Sequence, residues 1–486
     1  MTIDTSTRTL LLAALTAVVT VAGAVTVVAT HGADTQPGTA APESSDSSAT
    51  GEVSVASPDA PDSEWTLDAA ATFGRQFAVF RSPAYETDFD SGQPGFLNGG
   101  EILVTMIGLV NQETGGLNQT ELVGVDSSDG SVRWKTPIDN LGTCAEAALD
   151  GKVVCYSSPY EGAQTFSAID IGTGEVTETA RAPEDWWILG ITVSGDRLFV
   201  LEGDPESDDI EVHSGSPSDP DANWSQRFDL GAAWEEAFGR IMTTEHGHGV
   251  LELGGEVAGF DLDNGRPTFT RGLPDCSSAA HATEGGVVVR VHSDCNLGEV
   301  LGSEAIDRTG RVIASTTNEA AHTLVIDRPT DDSTPLLLGD GGYDRIRGER
   351  LWTSAALLSR PETDSPESSD SARGTAVAVL GDVALLRDPA GGTESGLDLR
   401  TGEILWEEEF DDAGNIAAAE GSIVIDLAGD TLRGKDIRTG ENVWTLPLKS
   451  VVDDGDAWDG SMALADSDAG LVYSTSHTMV CLSPSE

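Results

Sequence analysis

Two histidines stand two residues apart in "TEHGHGV" (244–250). On a β-strand such residues point to the same side, so His246 and His248 would offer two imidazoles to one metal ion, with Glu245 beside them. No cysteine or third histidine lies near in sequence, and a polar turn accounts for the pattern more simply. "DDGDAWDG" (453–460) is a second echo of metal chemistry, through Asp454, Asp456 and Asp459. Its third aspartate comes one residue late for a calcium loop, and Ala465 stands where the bidentate glutamate belongs, which favours a solvated acidic loop. These five residues are weak metal candidates, and no metal or other cofactor is expected.

Neither G-x-S-x-G nor H-E-x-x-H occurs, and carboxylates this abundant pair by chance, so no catalytic residue is assigned. Trp186 and Trp187 are adjacent and would face opposite sides of a strand, which makes one of them a candidate for exposure at a rim. Among the cysteines, Cys276 and Cys295 flank Gly285-Gly286, and Cys144 and Cys155 flank Asp150-Gly151. Tight turns at those dipeptides would set each pair across an antiparallel hairpin, at a separation a disulfide spans. We expect Cys144–Cys155 and Cys276–Cys295 bridges in an oxidising compartment, the alternative being small buried hydrophobes. Cys481 is left over as a buried thiol.

The chain that must position these residues carries 82 acidic against 27 basic side chains, only four of the latter lysine, for a net charge of −55. Nucleic acid is excluded as a partner, because phosphate binding needs a basic face. Adhesion to anionic lipid is excluded for the same reason. Such a surface suits a salty environment, where screening relieves self-repulsion, and compositional bias of the source genome is the alternative.

Residues 10–30 are almost wholly apolar and, at about 1.5 Å per residue, long enough to cross about 30 Å of hydrocarbon. We expect residues 1–9 as a short cytoplasmic tail and 10–30 as a single-pass transmembrane anchor, with the body outside the cytoplasm. A cleaved signal peptide, leaving a secreted protein, is the rival. Residues 31–64, rich in Ser, Pro, Ala and acidic side chains, read as a disordered linker. The body is 65–486, with a second stretch of linker-like composition at 359–374.

Within the body one register recurs: Asp, Gly four residues on, and a large residue four beyond that. It fits Asp126–Gly130–Trp134, Asp261–Gly265–Phe269, Asp344–Gly348–Trp352, Asp398–Gly402–Trp406 and Asp436–Gly440–Trp444. Asp170 and Gly174 keep the turn but place Glu178 in the aromatic slot, Asp307–Gly310 is one residue short with Ala314 in the slot, and "SDPDANW" lacks the Gly yet delivers Trp224. The slots recur about every 44 residues, the period of four-stranded propeller blades. Asp and Gly shape a hairpin turn, and the aromatic on the next strand can pack a neighbouring unit.

This pattern resembles the PQQ-like repeat β-propellers, the group that contains quinoprotein dehydrogenases and the eight-bladed BamB scaffold. The resemblance implies an all-β propeller over 65–486 of about eight four-stranded blades, with seven to nine left open by the register. "EWTLD" (64–68) would be the strand that closes the ring with the C-terminal segment. For an enzyme of the group the resemblance would imply a quinone site with Ca²⁺ and often an adjacent-cysteine disulfide. No Cys-Cys pair and no C-x-x-C-H occurs here. The expected function is a non-catalytic, membrane-tethered scaffold that binds an unidentified protein partner at the cell surface through loops such as 81–99, 201–223 and 359–374. A small-ligand sensor or a quinone- and Ca²⁺-dependent oxidoreductase using the channel is the alternative.

Overall fold

The computed structural model describes residues 60–84, 92–112, 116–138, 140–158, 162–181, 186–204, 209–230, 241–253, 255–272, 275–295, 299–359, 373–410, 414–452, 460–464 and 470–483. The tail, the apolar segment 10–30 and most of the linker lie outside them, as do Asp454, Asp456, Asp459 and residues 85–91 and 360–372 of two of the loops named above. The third, 201–223, is not the loop the sequence suggested: apart from 205–208, outside the described residues, it is largely the strands Arg197–Gly203, Ile210–Ser216 and Asp219–Phe228. No helix among the described residues is long and apolar enough to cross a membrane.

Short apolar runs broken by Gly and Asp turns produce strands almost everywhere. The second blade shows the plan: Leu141–Cys144, Lys152–Ser157, Thr165–Asp170 and Val176–Arg181 each pair antiparallel with the next. Sheets of this kind succeed one another into a propeller of nine blades, the upper end of the range open to sequence. The units with Glu178, Trp224 and Ala314 in their slots are complete blades rather than one irregular unit absorbed by its neighbours. The first blade's inner strand is split, with Ala78–Arg81 and Leu97–Asn98 both pairing with Ile102–Val110.

The ring is closed by the two ends of the body. Ser63–Asp68 pairs antiparallel with Thr478–Leu482, setting Trp65 opposite Cys481 and making the outer strand of the ninth blade. The only α-helix among the described residues, Ala69–Phe73, then leads into the first blade. Asp68 caps it through the Ala71 amide, and Gly74 ends it in the left-handed conformation.

Among the described residues there is no single core. The buried apolar residues form nine clusters, and each joins two neighbouring blades. Phe199 and Leu201 of the third blade, for example, pack with Leu251 and Phe260 of the fourth. A lone blade would leave both faces wet, so apolar burial stabilises the ring rather than any unit.

The sixth blade departs from the plan. It has three strands, Leu336–Leu338, Gly341–Tyr343 and Arg350–Thr353. Its expected inner strand, Ile326–Pro329, pairs instead with Ala376–Gly381 of the seventh blade, giving that sheet five strands. The added pairing is parallel because the first strands of adjacent blades run the same way around a propeller. Ile326–Pro329 has kept its direction and shifted sideways.

Candidate functional site

The motif residues serve the blade turns and the junctions between blades. Asp398 Oδ1 accepts the amides of Arg400 and Thr401 at 2.8 and 2.9 Å, while the Gly402 amide donates to the Asp398 carbonyl at 2.8 Å. Gly402 sits at φ 76°, a conformation that costs other L-residues about 1–2 kcal/mol. Asp436 and Gly440 repeat this geometry. At Asp126 the Ser128 hydroxyl, then Arg133, hold the carboxyl down at about 2.

The slot tryptophans reach across to the next blade. Trp406 Nε1 donates to the Ile437 carbonyl at 2.8 Å, and its ring lies on Gly440, where a Cβ would come within 2.5 Å of it. In its own blade Trp406 stands opposite Gly396, where a Cβ would be 2.2 Å from Nε1. The ring is thus sandwiched between two glycines. Trp134 bonds the Ile171 carbonyl at 2.7 Å between Gly124 and Gly174, and Trp352 bonds the Leu399 carbonyl at 2.8 Å between Gly342 and Gly402. Trp65, from the closing strand, bonds the Ser127 carbonyl at 2.9 Å over Gly130, and Trp224 bonds that of Leu262 at 3.1 Å over Gly265. Phe269 and Trp444 lie opposite Gly259 and Gly434. Gly348 backs directly onto the main chain at Ile313 and Ala314 of the blade before it. Blade two, with Glu178 in its slot, offers no ring, and the corresponding turn of blade three has no glycine.

The other sequence candidates are dispersed. His246 and Gly247 are the two-residue turn between Met242–Glu245 and His248–Leu253, with φ of 50° and 80°. His246 is therefore not on a strand with His248, which is buried 3.3 Å from the Thr268 hydroxyl. No group of three His, Cys, Asp or Glu suited to a metal occurs among the described residues. Trp187 packs on the third-to-fourth blade cluster and Trp186 carries Arg227 5.2 Å from its ring centre, so both are half-buried.

Cys144–Cys155 and Cys276–Cys295 are disulfides joining the first two strands of blades two and five. Cys144 pairs directly with Cys155. In the other hairpin Glu284–Gly286 makes a three-residue turn and a bulge follows Ser277, so Cys276 pairs with Ser293 rather than with Cys295. Cys481 is buried outside both bridges, and burial pushes its thiol up to about 11.

Two features were not read from sequence. One is the gap left by the displaced strand of blade six. A cavity there is lined by His281, Ser303, His322, Asp327, Leu337 and Arg345, among others. His322 Nε2 donates to the Gly339 carbonyl at 2.7 Å and its Nδ1 accepts the Ala376 amide at 3.3 Å. Burial lowers this imidazole to about 4. Arg345 is buried, bonding the Thr334 carbonyl at 2.8 Å and the Thr283 hydroxyl at 3.0 Å. The sequence signal was uneven slot spacing, since Trp352 follows Ala314 early and Trp406 follows Trp352 late.

The second is the rim. Val312, Leu351, Ile404, Leu405 and Val443 are exposed, each one or two residues before a slot on the outer strands of blades five to eight. Ile346, in the sixth motif turn, is 72% exposed. Glu349, Glu403, Glu407, Glu409 and Glu441 are exposed among them. Behind the rim, Arg387 bonds Glu394 and Asp426 at 2.7 Å each, and Lys435 bonds Glu394 and Glu408, tying blades seven and eight. Removing one partner of such a buried network would leave a charge uncompensated, which is strongly destabilising.

A family model described as "Outer membrane protein assembly factor BamB" matches residues 341–485, from within the sixth blade to the C-terminal end. Among solved structures, BamB from Moraxella catarrhalis is 13% identical over 72% of this chain and 96% of its own, with a TM-score of 0.35. The quinohemoprotein alcohol dehydrogenase from Comamonas testosteroni is 12% identical over 86% and 78%, with a TM-score of 0.41. The dihydro-heme d1 dehydrogenase NirN in complex with DHE is 10% identical over 76% and 72%, with a TM-score of 0.41. No curated protein matches the chain.

Proposed function

We propose that this PQQ-like repeat propeller is a non-catalytic protein-binding scaffold working outside the cytoplasm, tethered to the cell membrane through residues 10–30. The observation that carries the reading is the rim, where apolar side chains one or two residues before the slots are exposed, most densely amid glutamates on blades five to eight and also at Val132 and Val176 of blades one and two. Repeated exposed apolar positions on a rigid ring suit docking of another protein. The motif residues are engaged in blade turns and junctions, which leaves the rim and loops as the variable surface. Two disulfides fit an oxidising compartment.

The test compares the native chain with a Leu351→Asp/Leu405→Asp variant, captured from the native membrane after crosslinking and quantified against each other. A partner enriched by the native chain and lost by an equally stable variant supports the scaffold. A stoichiometric quinone in the absorbance spectrum of the purified protein, with turnover of an electron acceptor, overturns it in favour of an oxidoreductase.

A further inference from the structure

Ten asparagines occur in the chain, and only Asn118 and Asn223 are followed two residues on by a hydroxyl, in "NQT" and "NWS". Asparagine, any residue but proline, then Ser or Thr is the acceptor pattern for N-linked sugar. So short a pattern also arises by chance, and its placement in the fold decides.

Both asparagines are exposed. Their side-chain amides bond no other described residue, in contrast to those of Asn98, Asn140, Asn264 and Asn318, which bond main-chain groups. Asn415 and Asn442 are exposed on blade eight, but Ala417 and Trp444 stand where the hydroxyl belongs.

Asn223 lies on Asp219–Phe228, the outer strand of blade three. Trp224 turns inward to the Leu262 carbonyl, while Asn223 and Ser225 on either side of it are exposed. Strand alternation thus presents the amide and its hydroxyl together, away from the junction the ring serves. The strand has ten residues, against four to six in the outer strands of the other blades. A long free edge invites pairing with another chain, and a bulky, solvated sugar on it blocks that. Asn118 is second in the strand Leu117–Asp126 of blade one, where the register shifts and Gln119 takes φ 56°. It therefore stands at the end of its sheet rather than within it.

We propose that Asn118 and Asn223 carry N-linked glycans, transferred from a lipid-linked sugar donor on the outer side of the membrane. The proposal rests on the extracytoplasmic placement of the propeller. In the transfer the asparagine Nδ2 bonds to the anomeric carbon of the donor's first sugar. The bond from that carbon to the donor's phosphate oxygen breaks, its electron pair stays on the phosphate, and one amide proton is released. Sugars on blades one and three leave blades five to eight, where the exposed apolar positions are densest, clear for docking.

The test is mass spectrometry of proteolytic peptides from the full chain, purified from its native membrane. The peptides containing Asn118 and Asn223 are expected to exceed their sequence masses by whole sugar residues. Asn118→Gln and Asn223→Gln should each lose the increment at that position alone. Thr120→Val and Ser225→Ala should lose it too although the asparagine remains, which separates enzymatic transfer from a chemical adduct on the amide. Should a variant not fold, the native peptides decide. A bare peptide at either position overturns the proposal for that position. Protease treatment of intact cells reads the location separately. A chain digested from outside with both asparagines bare overturns the glycosylation alone, whereas a chain protected in the cytoplasm overturns it together with the placement on which it rests.

Discussion

Gly421 and Gly440 of the eighth blade both adopt left-handed conformations, at φ 56° and 77°. They differ in surroundings. A Cβ on Gly421 meets nothing within 4 Å, whereas on Gly440 it would lie 2.5 Å from the Trp406 ring. Alanine at either position should cost about 1–2 kcal/mol in backbone strain. Gly440→Ala must also push the ring out of its seat, adding about 1–3 kcal/mol of overpacking. Loosening the 2.8 Å bond from Trp406 Nε1 to Ile437 adds about 1 kcal/mol. Gly440→Ala should therefore exceed Gly421→Ala by about 2–4 kcal/mol, read as the difference in urea midpoints at unchanged slope. In a Gly440→Ala/Trp406→Leu double variant most of the excess should disappear, since the ring that clashes is gone. If the two alanine variants lose the same stability, Gly440 serves only its turn and the lock between blades is refuted.

The His322 imidazole lies at about 4 in the folded chain, below its ordinary 6.5. A depressed histidine contributes stability at pH above 6.5 that is lost as pH falls toward 4, because the unfolded chain takes the proton first. The loss is at most about 3 kcal/mol, since the residue is only half-buried by surface area. His322→Gln should flatten the pH dependence of the urea midpoint over that window, and an unchanged profile refutes the assignment. Reducing the disulfides should destabilise the chain by about 2–3 kcal/mol for each of these short loops. Cys144→Ser/Cys155→Ser and Cys276→Ser/Cys295→Ser would separate the two in thermal melts. Cys481, buried and raised to about 11, should react with a thiol reagent only as fast as the chain opens, so rapid labelling of the native protein would contradict its placement.

Most of the architecture was legible because the repeat is chemical. Asp398 and Gly402 shape a local turn and Trp406 packs on the same turn of the next copy, tasks that each copy of the motif repeats, so their spacing revealed the blades before any contact was known. "EWTLD" could be assigned to the closing strand because the C-terminal segment was one strand short. The rest was hidden for a physical reason. Blade two is a full blade through the antiparallel pairing of its four strands and the apolar clusters on both its faces, neither of which needs an aromatic residue in the slot. The glycine facing each ring, such as Gly124 or Gly396, stands two residues before the motif aspartate, yet its purpose shows only when the ring is laid on it. His246 and Gly247 form the polar turn that the sequence favoured over a metal pair.

From the amino acids alone came the all-β class, the repeat, the extreme acidity with the partners it excludes, and the cysteine pairs, since each depends on composition or short-range spacing. Tertiary structure decided the count of nine, because blade number follows from how many sheets complete a closed ring and no single sheet encodes it. It also decided the sideways shift of Ile326–Pro329, which pairs parallel with Ala376–Gly381 rather than with the edge of Leu336–Leu338. From that choice follow the buried carboxylate of Asp327 and the cavity beside it, which no local pattern around residue 327 announces.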